Sequence, residues 1–151
     1  MPVTRAAPKL MVEDVARSVA FYLEALGFAF VCGVSEATRE PVTHWSGPAE
    51  RLALAEVRCG QARLIFQSRA SLTVELPRLA ETKIGGSVVV VLTCDDLDAF
   101  YARVSEQAPF IKAPHTTFYG ARECSLEDIN GYVLTFSDDA DADPKPSEPI
   151  A

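Results

Sequence analysis

The sequence has few of the residues on which most metal and nucleophilic sites depend. It contains only two histidines, His44 and His115, and four cysteines that never occur as a Cys-x-x-Cys pair. Widely separated cysteines argue against a disulfide framework or a zinc knuckle, so we interpret them as reduced thiols of a cytoplasmic protein. Both histidines fall in predicted loops, where we expect exposed side chains, and no nucleophile elbow accompanies them.

The chain also lacks an excess of basic residues and a long apolar run. It carries 14 Lys and Arg against 21 Asp and Glu, a net charge of −7, and no basic stripe interleaved with aromatics. Nucleic acid is therefore not an expected partner. The longest apolar run, residues 88–92, has the length of a strand and is far shorter than a membrane span of roughly 20 residues. Because the first residues have no apolar stretch, we expect neither a signal peptide nor membrane contact.

What the chain does contain is enough apolar sequence for one domain. Hydrophobic residues make up 48% of its 151 residues, which suits a single core of ordinary size. Residues 138–151 differ, with five acids, one lysine and three prolines, a composition that cannot bury enough apolar surface to become ordered. We expect a single domain over residues 1–137 and a disordered acidic tail. The tail carries −4 of the charge of −7, which weakens any inference that an acidic pocket attracts a cationic ligand.

The first half of the sequence predicts a strand, a helix and three further strands. Asp14 is a suitable N-cap, apolar residues recur on one helical face after it, and Gly27 ends the helix. The predicted strands occupy residues 8–12, 28–34, 52–58 and 62–67, with a long loop over residues 35–51.

The second half repeats this order from residue 85 onward. Asp96 caps its helix 82 residues after Asp14, and Asn130-Gly131 is the strongest short signal for a hairpin. The predicted strands occupy residues 87–92, 110–113, 119–127 and 132–137, with a bend at residues 114–118. A repeat of this size indicates two copies of one supersecondary unit that share a core.

Two sets of residues carry a resemblance to a known family. The first is residues 10–22 followed by Leu26-Gly27-Phe28, and the second is residues 119–123 followed by Asp128-Ile129-Asn130-Gly131-Tyr132. Together they resemble the vicinal oxygen chelate superfamily, which includes glyoxalase I, extradiol dioxygenases, fosfomycin-resistance enzymes and bleomycin-resistance proteins. Ile129 stands where that family has proline. The resemblance implies an α+β fold of two βαβββ modules, at about residues 7–84 and 85–137, whose mixed sheet forms a cup with helices on its convex side.

Strand alternation in such a fold sorts side chains between the cup and the helices. We expect the helix side to hold Leu10, Val12, Leu64, Phe66, Leu134 and Phe136. We expect the cup to hold Lys9, Met11, Arg63, Ile65, Gln67, Val133 and Thr135, and a register error of one residue would invert every assignment. Lys9 either contacts a ligand or extends its stem into solvent.

Trp45, Phe118, Tyr119 and Arg122 complete the candidate ligand site. Trp45, in the long loop, is either a lid over a pocket or an aromatic packed on the surface. Phe118 and Tyr119 flank the bend where the family has aromatics at the pocket wall, with core packing as the alternative. Arg122 and Glu123 have opposite facings on one strand, so one of them faces the cup, and the sequence leaves open which.

The resemblance also implies positions for the ligands of a divalent ion. In this sequence those positions are Ala7, Gln67, Val89 and Thr135, and only Gln67 keeps donor chemistry. One amide is too weak a ligand to hold a catalytic ion, so we expect no metal, no cofactor and no catalytic residue.

These features favour a binding protein without enzymatic activity, similar to the bleomycin-resistance branch and associated with antibiotic resistance. Such a protein would sequester an antibiotic-like or other organic ligand as a cytoplasmic homodimer. The alternative is a metal-dependent glyoxalase-like lyase or dioxygenase with atypical ligands, and a third possibility is a structural or regulatory module whose cup holds no ligand. The identity of the ligand and the geometry of the dimer stay open.

Overall fold

Two units, divided between Ile84 and Gly85, make up the computed structural model, which describes residues 2–138. Each unit contains one sheet and its own helices, so the predicted α+β class is confirmed. The acidic tail predicted for residues 138–151 lies outside the described residues, apart from Asp138. No helix within residues 2–138 is long and apolar enough to cross a membrane.

The first unit consists of a five-stranded sheet, two α-helices and a short 3-10 helix at Pro77–Leu79. Its elements are β1 (Lys9–Val12), α1 (Val15–Glu24), β2 (Ala29–Ser35), β3 (Pro41–Val42), β4 (Leu52–Cys59), β5 (Ala62–Ser68) and α2 (Arg69–Glu75). The strands lie in the order β1-β5-β4-β2-β3. β1 runs parallel to β5 and the other pairs are antiparallel.

α1 packs on one face of this sheet, and its start is set by the predicted cap. Asp14 accepts a hydrogen bond from the backbone N–H of Arg17 at 3.0 Å, which satisfies one of the free donors of the first turn. At the other end, the fully buried ring of Tyr22 lies 4.8 Å from that of Phe66 on β5 and 5.5 Å from that of Phe28. Phe66 therefore lies on the α1 face of the sheet, as alternation predicted.

The second unit consists of a four-stranded sheet and one helix. Its elements are β6 (Val89–Thr93), α3 (Leu97–Val104), β7 (Phe110–Thr116), β8 (Arg122–Glu127) and β9 (Val133–Ser137). The strands lie in the order β6-β9-β8-β7, with β6 parallel to β9 and the other pairs antiparallel.

α3 packs on one face of the second sheet through aromatic residues. Asp96 caps it by accepting from the backbone N–H of Ala99 at 3.0 Å, and the ring of Phe100 lies 4.3 Å from that of Phe136 on β9. The predicted hairpin joins β8 to β9, and Gly131 at its turn has φ +90°, a conformation that glycine adopts without steric cost. The second unit thus repeats the order of the first.

The structure corrects the boundaries of several predicted elements. α2 and the short β3 were not predicted; α2 is short, begins at the cap Ser68 and buries only Leu72, so its apolar periodicity is weak. Residues 114–116 lie in β7 and not in a bend. Pro114 is tolerated there because β7 is an edge strand with register shifts. β8 begins at Arg122, so Tyr119 belongs to the preceding turn.

Candidate functional site

The face of the first sheet opposite α1, called here the far face, collects four of the predicted ligand residues. Strand pairing aligns one row of side chains across β1, β5, β4 and β2: Lys9, Ile65, Glu56 and Cys32. The next row is Met11, Gln67, Leu54 and Val34. Because paired residues and alternate residues of a strand share a face, the predicted residues Lys9, Met11, Ile65 and Gln67 are neighbours.

Two of these four residues lie beneath α2. Gln67 is 2% exposed, and its Nε2 donates to Ser71 Oγ at 2.9 Å and to Glu75 Oε1 at 3.2 Å. Met11, which pairs with Gln67, is also buried. Among residues 2–138 the other amide atom, Gln67 Oε1, has no hydrogen-bond partner although it is buried. Lys9 is exposed and Ile65 half-buried, so the accessible part of the far face is at their end of the row.

An ion pair lies at that accessible end. Arg63 Nη2 donates to Glu56 Oε1 at 2.6 Å, and Arg58 Nη2 lies 3.9 Å from Glu56 Oε2. Glu56 is only 9% exposed, and the hydrogen bond from Arg63 holds the pKa of its carboxyl below the ordinary value. The carboxylate therefore stays ionised and fixes the guanidinium of Arg63 at the sheet surface.

Glu56 is the residue of this site that sequence reasoning missed. It interrupts an otherwise apolar stretch of β4, between the buried residues Ala55 and Val57. A charged side chain in a buried strand needs a partner, and Arg63, already assigned to the same face, was the nearest basic residue in the following strand. That interruption was the signal available in the sequence.

On the second sheet, the face opposite α3 holds the predicted residues Val133 and Thr135. Thr135 pairs with Ser125 on β8 and with Val91 on β6. Its Oγ1 lies 2.8 Å from Ser125 Oγ, so the two hydroxyls bond each other. Val91 is 64% exposed, and this face therefore combines a short polar pair with accessible apolar surface.

Hydrogen bonds show on which face of the second sheet Arg122 and Glu123 lie. Arg122 Nη2 donates to Asp98 Oδ1 of α3 at 2.9 Å, which places Arg122 on the helix side of the sheet. Glu123 has the opposite facing and accepts a hydrogen bond from Tyr119 Oη at 2.6 Å. This bond raises the pKa of Tyr119. Glu123, and not Arg122, therefore lies on the face opposite α3, which also holds Val133 and Thr135.

Phe118 and Tyr119 form an exposed aromatic pair at the turn between β7 and β8. Their rings pack edge to face with centroids 4.9 Å apart, and Phe118 is 82% exposed. Core packing, the alternative considered for Phe118, is therefore wrong. The pair offers ring surface next to Glu123, and stacking on it is open to an aromatic ligand.

Trp45 lies on the other side of the first sheet from the far face. Its ring centroid is 5.7 Å from that of Phe30 on β2. Gly33 lies on the α1 face of the sheet, because it pairs with Ala55, which in turn pairs with Phe66. Phe30 lies on the same face, because a Cβ added to Gly33 would be 3.4 Å from Phe30 Cζ. The structure thus favours the surface-packed alternative for Trp45 over a lid on the far face.

The family positions for metal ligands do not fit a divalent ion here. Ala7 and Val89 carry no donor atom, and the hydroxyl of Thr135 is engaged with Ser125. Gln67 offers one amide oxygen. No cluster of three or more His, Cys, Asp or Glu able to hold an ion is found within residues 2–138. A divalent ion with oxygen or imidazole ligands needs several converging donors, and these positions supply a single one.

A separate cleft of about 300 Å³ in the first unit is lined by eight residues, of which four are acidic. Three of them already have structural roles: Asp14 caps α1, Glu13 pairs with Arg69 at 2.9 Å, and Glu50 accepts from Ser46 at 2.6 Å. We attribute this cleft to loop packing and leave it out of the candidate site.

Comparison with known proteins places these features in one family. The sequence model of the Glyoxalase/Bleomycin resistance protein/Dioxygenase superfamily matches residues 4–136. No curated protein matches the sequence.

Several solved structures share the fold at low sequence identity. The antibiotic binding protein TnmS3 from Streptomyces sp. CB03234 is 21% identical with a TM-score of 0.62, covering 91% of this chain and 97% of its own. Lactoylglutathione lyase from Agrobacterium tumefaciens is 16% identical with a TM-score of 0.62, covering 91% and 94%. TioX from Micromonospora sp. ML1 is 15% identical with a TM-score of 0.58, covering 89% and 97%. At these identities the likeness establishes the fold.

Proposed function

The chain belongs to the Glyoxalase/Bleomycin resistance protein/Dioxygenase superfamily, and from that membership we propose that it binds a small organic molecule and sequesters it without a metal ion. The observation that carries the proposal is the far face of the first sheet. There a fixed ion pair, Glu56 with Arg63, lies beside the half-buried apolar side chain of Ile65. Ligand sites combine apolar surface with a few well-placed polar groups in this way.

The chemistry of the donor positions supports binding over metal-dependent catalysis. Family enzymes polarise a substrate oxygen with their ion, and three of the four equivalent positions here, Ala7, Val89 and Thr135, supply no free donor for one. Sequestration requires affinity for the ligand and no stabilisation of a transition state.

The class of ligand is proposed from the aromatic pair and from one structural neighbour. Phe118 and Tyr119 of the second unit present exposed rings, which suit stacking on an aromatic ligand. TnmS3, a neighbour in fold, is an antibiotic binding protein. We therefore propose an antibiotic-like ligand and a role in antibiotic resistance in the cytoplasm.

A homodimer is part of the proposal. β6 is an edge strand of the second sheet, and its residues Val89 and Val91 are more than half exposed. An edge strand with accessible apolar side chains is a common site of association. Light scattering after size exclusion would give twice the chain mass of 16.4 kDa for the dimer, and a single chain mass at micromolar concentration would contradict this part of the proposal.

Two measurements on purified protein test the proposal. The first is elemental analysis, for which we expect less than about 0.1 equivalent of transition metal per chain, because a single amide donor binds such ions weakly. The second is a thermal-shift screen of antibiotics and aromatic metabolites in buffer with EDTA. A ligand at 100 times its Kd adds about 2.7 kcal/mol of stability, which raises Tm by several degrees.

The outcomes separate the two functions. A ligand that raises Tm equally with and without EDTA supports sequestration. About one equivalent of metal per chain, together with a ligand effect that EDTA abolishes, would contradict it and support the metal-dependent lyase or dioxygenase.

A further inference from the structure

The far face of the first sheet is locally positive although the chain is acidic overall. Its strand residues include three basic side chains, Lys9, Arg58 and Arg63, and one carboxylate, Glu56. The formal charge of this group is +2, whereas the whole chain carries −7. A second carboxylate, Glu75 of α2, is held at the buried end of the face by Gln67.

Arg63 is held in place and still has donors to offer. A guanidinium has five N–H groups, and within residues 2–138 the only hydrogen bond of Arg63 is the one to Glu56. The side chain of Arg63 is 29% exposed. Glu56 is nearly buried beneath it, so the bond orients the guanidinium while part of its edge stays accessible to solvent.

The two other cations lie on the same accessible end of the face. Arg58 pairs with Arg63 across β4 and β5, and its guanidinium is within 3.9 Å of the same carboxylate. Lys9 pairs with Ile65 on the opposite side of β5. A single carboxylate cannot neutralise three cations, so the group as a whole favours an incoming anion.

Resting on the proposed function, we infer that the ligand carries an oxyanion, a carboxylate or a phosphate, that the guanidinium of Arg63 binds. Two oxygens of such a group match the spacing of the guanidinium fork. Glu56 is a positioning residue in this arrangement, and Arg58 and Lys9 add attraction without a fixed contact. A cationic ligand is disfavoured at this face.

Four probes that share one phenyl ring test the inference. Benzoate and phenyl phosphate carry the two oxyanions, benzyl alcohol is neutral, and benzylamine is a cation. Titration of ¹⁵N-labelled protein gives a Kd for each from amide shifts. We expect both anions, or one of them, to bind at least about 10-fold more tightly than benzyl alcohol, and benzylamine to bind most weakly. Added NaCl is expected to weaken anion binding, since partly exposed charges are screened.

Variants of Arg63 connect this preference to one side chain. Arg63→Gln is expected to weaken anion binding about 10-fold or more, because a hydrogen bond between charged groups is lost. The affinity for the neutral benzyl alcohol is expected to stay unchanged. Arg63→Lys keeps the positive charge but lacks the two-pronged guanidinium, so it is expected to lose less anion affinity than Arg63→Gln. Arg17→Gln is the matched control, an exposed arginine on α1 at the other face of the sheet. If Arg63→Gln does not fold, as judged by circular dichroism, Arg63→Lys carries the test, and anion affinity equal to that of the unaltered protein would overturn the inference.

The results also distinguish this inference from the function on which it rests. If the antibiotic screen yields a ligand whose affinity Arg63→Gln leaves unchanged, and the four probes bind alike, the anion inference is wrong while sequestration stands. An equal loss in Arg17→Gln would also overturn it. If neither the probes nor any screened compound binds, both proposals fail. Preference for benzoate or for phenyl phosphate identifies which oxyanion the site takes.

Discussion

Alanine at Phe66 and at its neighbour Ile65 should have very different costs, because the two side chains lie on opposite faces of the first sheet. Phe66 is fully buried against Tyr22 on the α1 face, and removing a buried phenylalanine lowers the free energy of unfolding by about 3–5 kcal/mol. Ile65 lies on the far face and is half-buried. Because its side chain is partly exposed, its removal should cost no more than the low end of the range for a buried isoleucine, about 2 kcal/mol.

Urea denaturation followed by far-ultraviolet circular dichroism measures both values. The expected difference between Phe66→Ala and Ile65→Ala is about 2 kcal/mol when the middle of the range for phenylalanine is used. A Phe66→Ala variant that is unfolded beside an Ile65→Ala variant that folds would support the assignment of faces in the same way. An Ile65→Ala variant that is as destabilised as Phe66→Ala would refute the assignment of faces. Since a shift of one residue inverts a whole strand, Arg63 would then lie under α1 and the proposed site would not exist.

Three further perturbations follow from single contacts. Asp14→Ala and Asp96→Ala each remove an N-cap and should lower the free energy of unfolding by about 1 kcal/mol in urea melts, whereas asparagine at either position should restore most of it. Arg63 holds the pKa of Glu56 below its ordinary value of 4.5, so the folded state binds this proton less readily than the unfolded state. The stabilisation that the ionised Glu56 provides is complete above pH 4.5 and is lost as pH falls through the lowered pKa. Glu56→Gln should therefore flatten this part of the curve of Tm against pH. An unchanged curve would contradict the pairing of Glu56 with Arg63. Burial raises the pKa of Cys124 from 9.0 to about 11, so the unfolded thiol ionises first and stability should fall as pH rises through this range, and Cys124→Ala should reduce that fall. Native Cys124 should also react with iodoacetamide more slowly than the exposed cysteines, and equal rates would contradict its burial.

The order of elements was predictable because it depends on short-range signals. Asp14 and Asp96 cap their helices as the spacing indicated, and the Asn130-Gly131 turn joins β8 to β9. Alternation also sorted Phe66 and Phe136 correctly to the helix sides. Capping, tight turns and alternation need only neighbouring residues, so the sequence carries them directly.

The parts of the site that were missed depend on contacts between distant residues. α2 is too short to show periodicity, so the burial of Gln67 beneath it could not be anticipated. The Glu56–Arg63 bond joins two strands diagonally, which requires the register of β4 on β5. The position of Trp45 depends on where a long loop returns to β2. Register and loop paths are tertiary properties, and local patterns leave them undetermined.

The charge on the far face determines which classes of ligand should be screened first. The acidic composition of the chain pointed toward a cationic ligand, an inference that the charge of the tail already weakened, and the strands of the first sheet instead bring three basic side chains around one carboxylate. Overall charge governs solubility and long-range attraction, whereas the few groups at a binding surface govern preference. Screens of antibiotics and metabolites should therefore begin with acids and phosphates.

Amide chemical shifts of ¹⁵N-labelled protein, recorded in EDTA during titration with the strongest ligand from the screen, would locate the binding site in one experiment. We expect saturable changes at Lys9, Glu56, Arg63 and Ile65, with a Kd that EDTA does not alter. Changes confined to the α1 face, or binding that disappears when EDTA is added, would contradict metal-free sequestration on the far face of the first sheet.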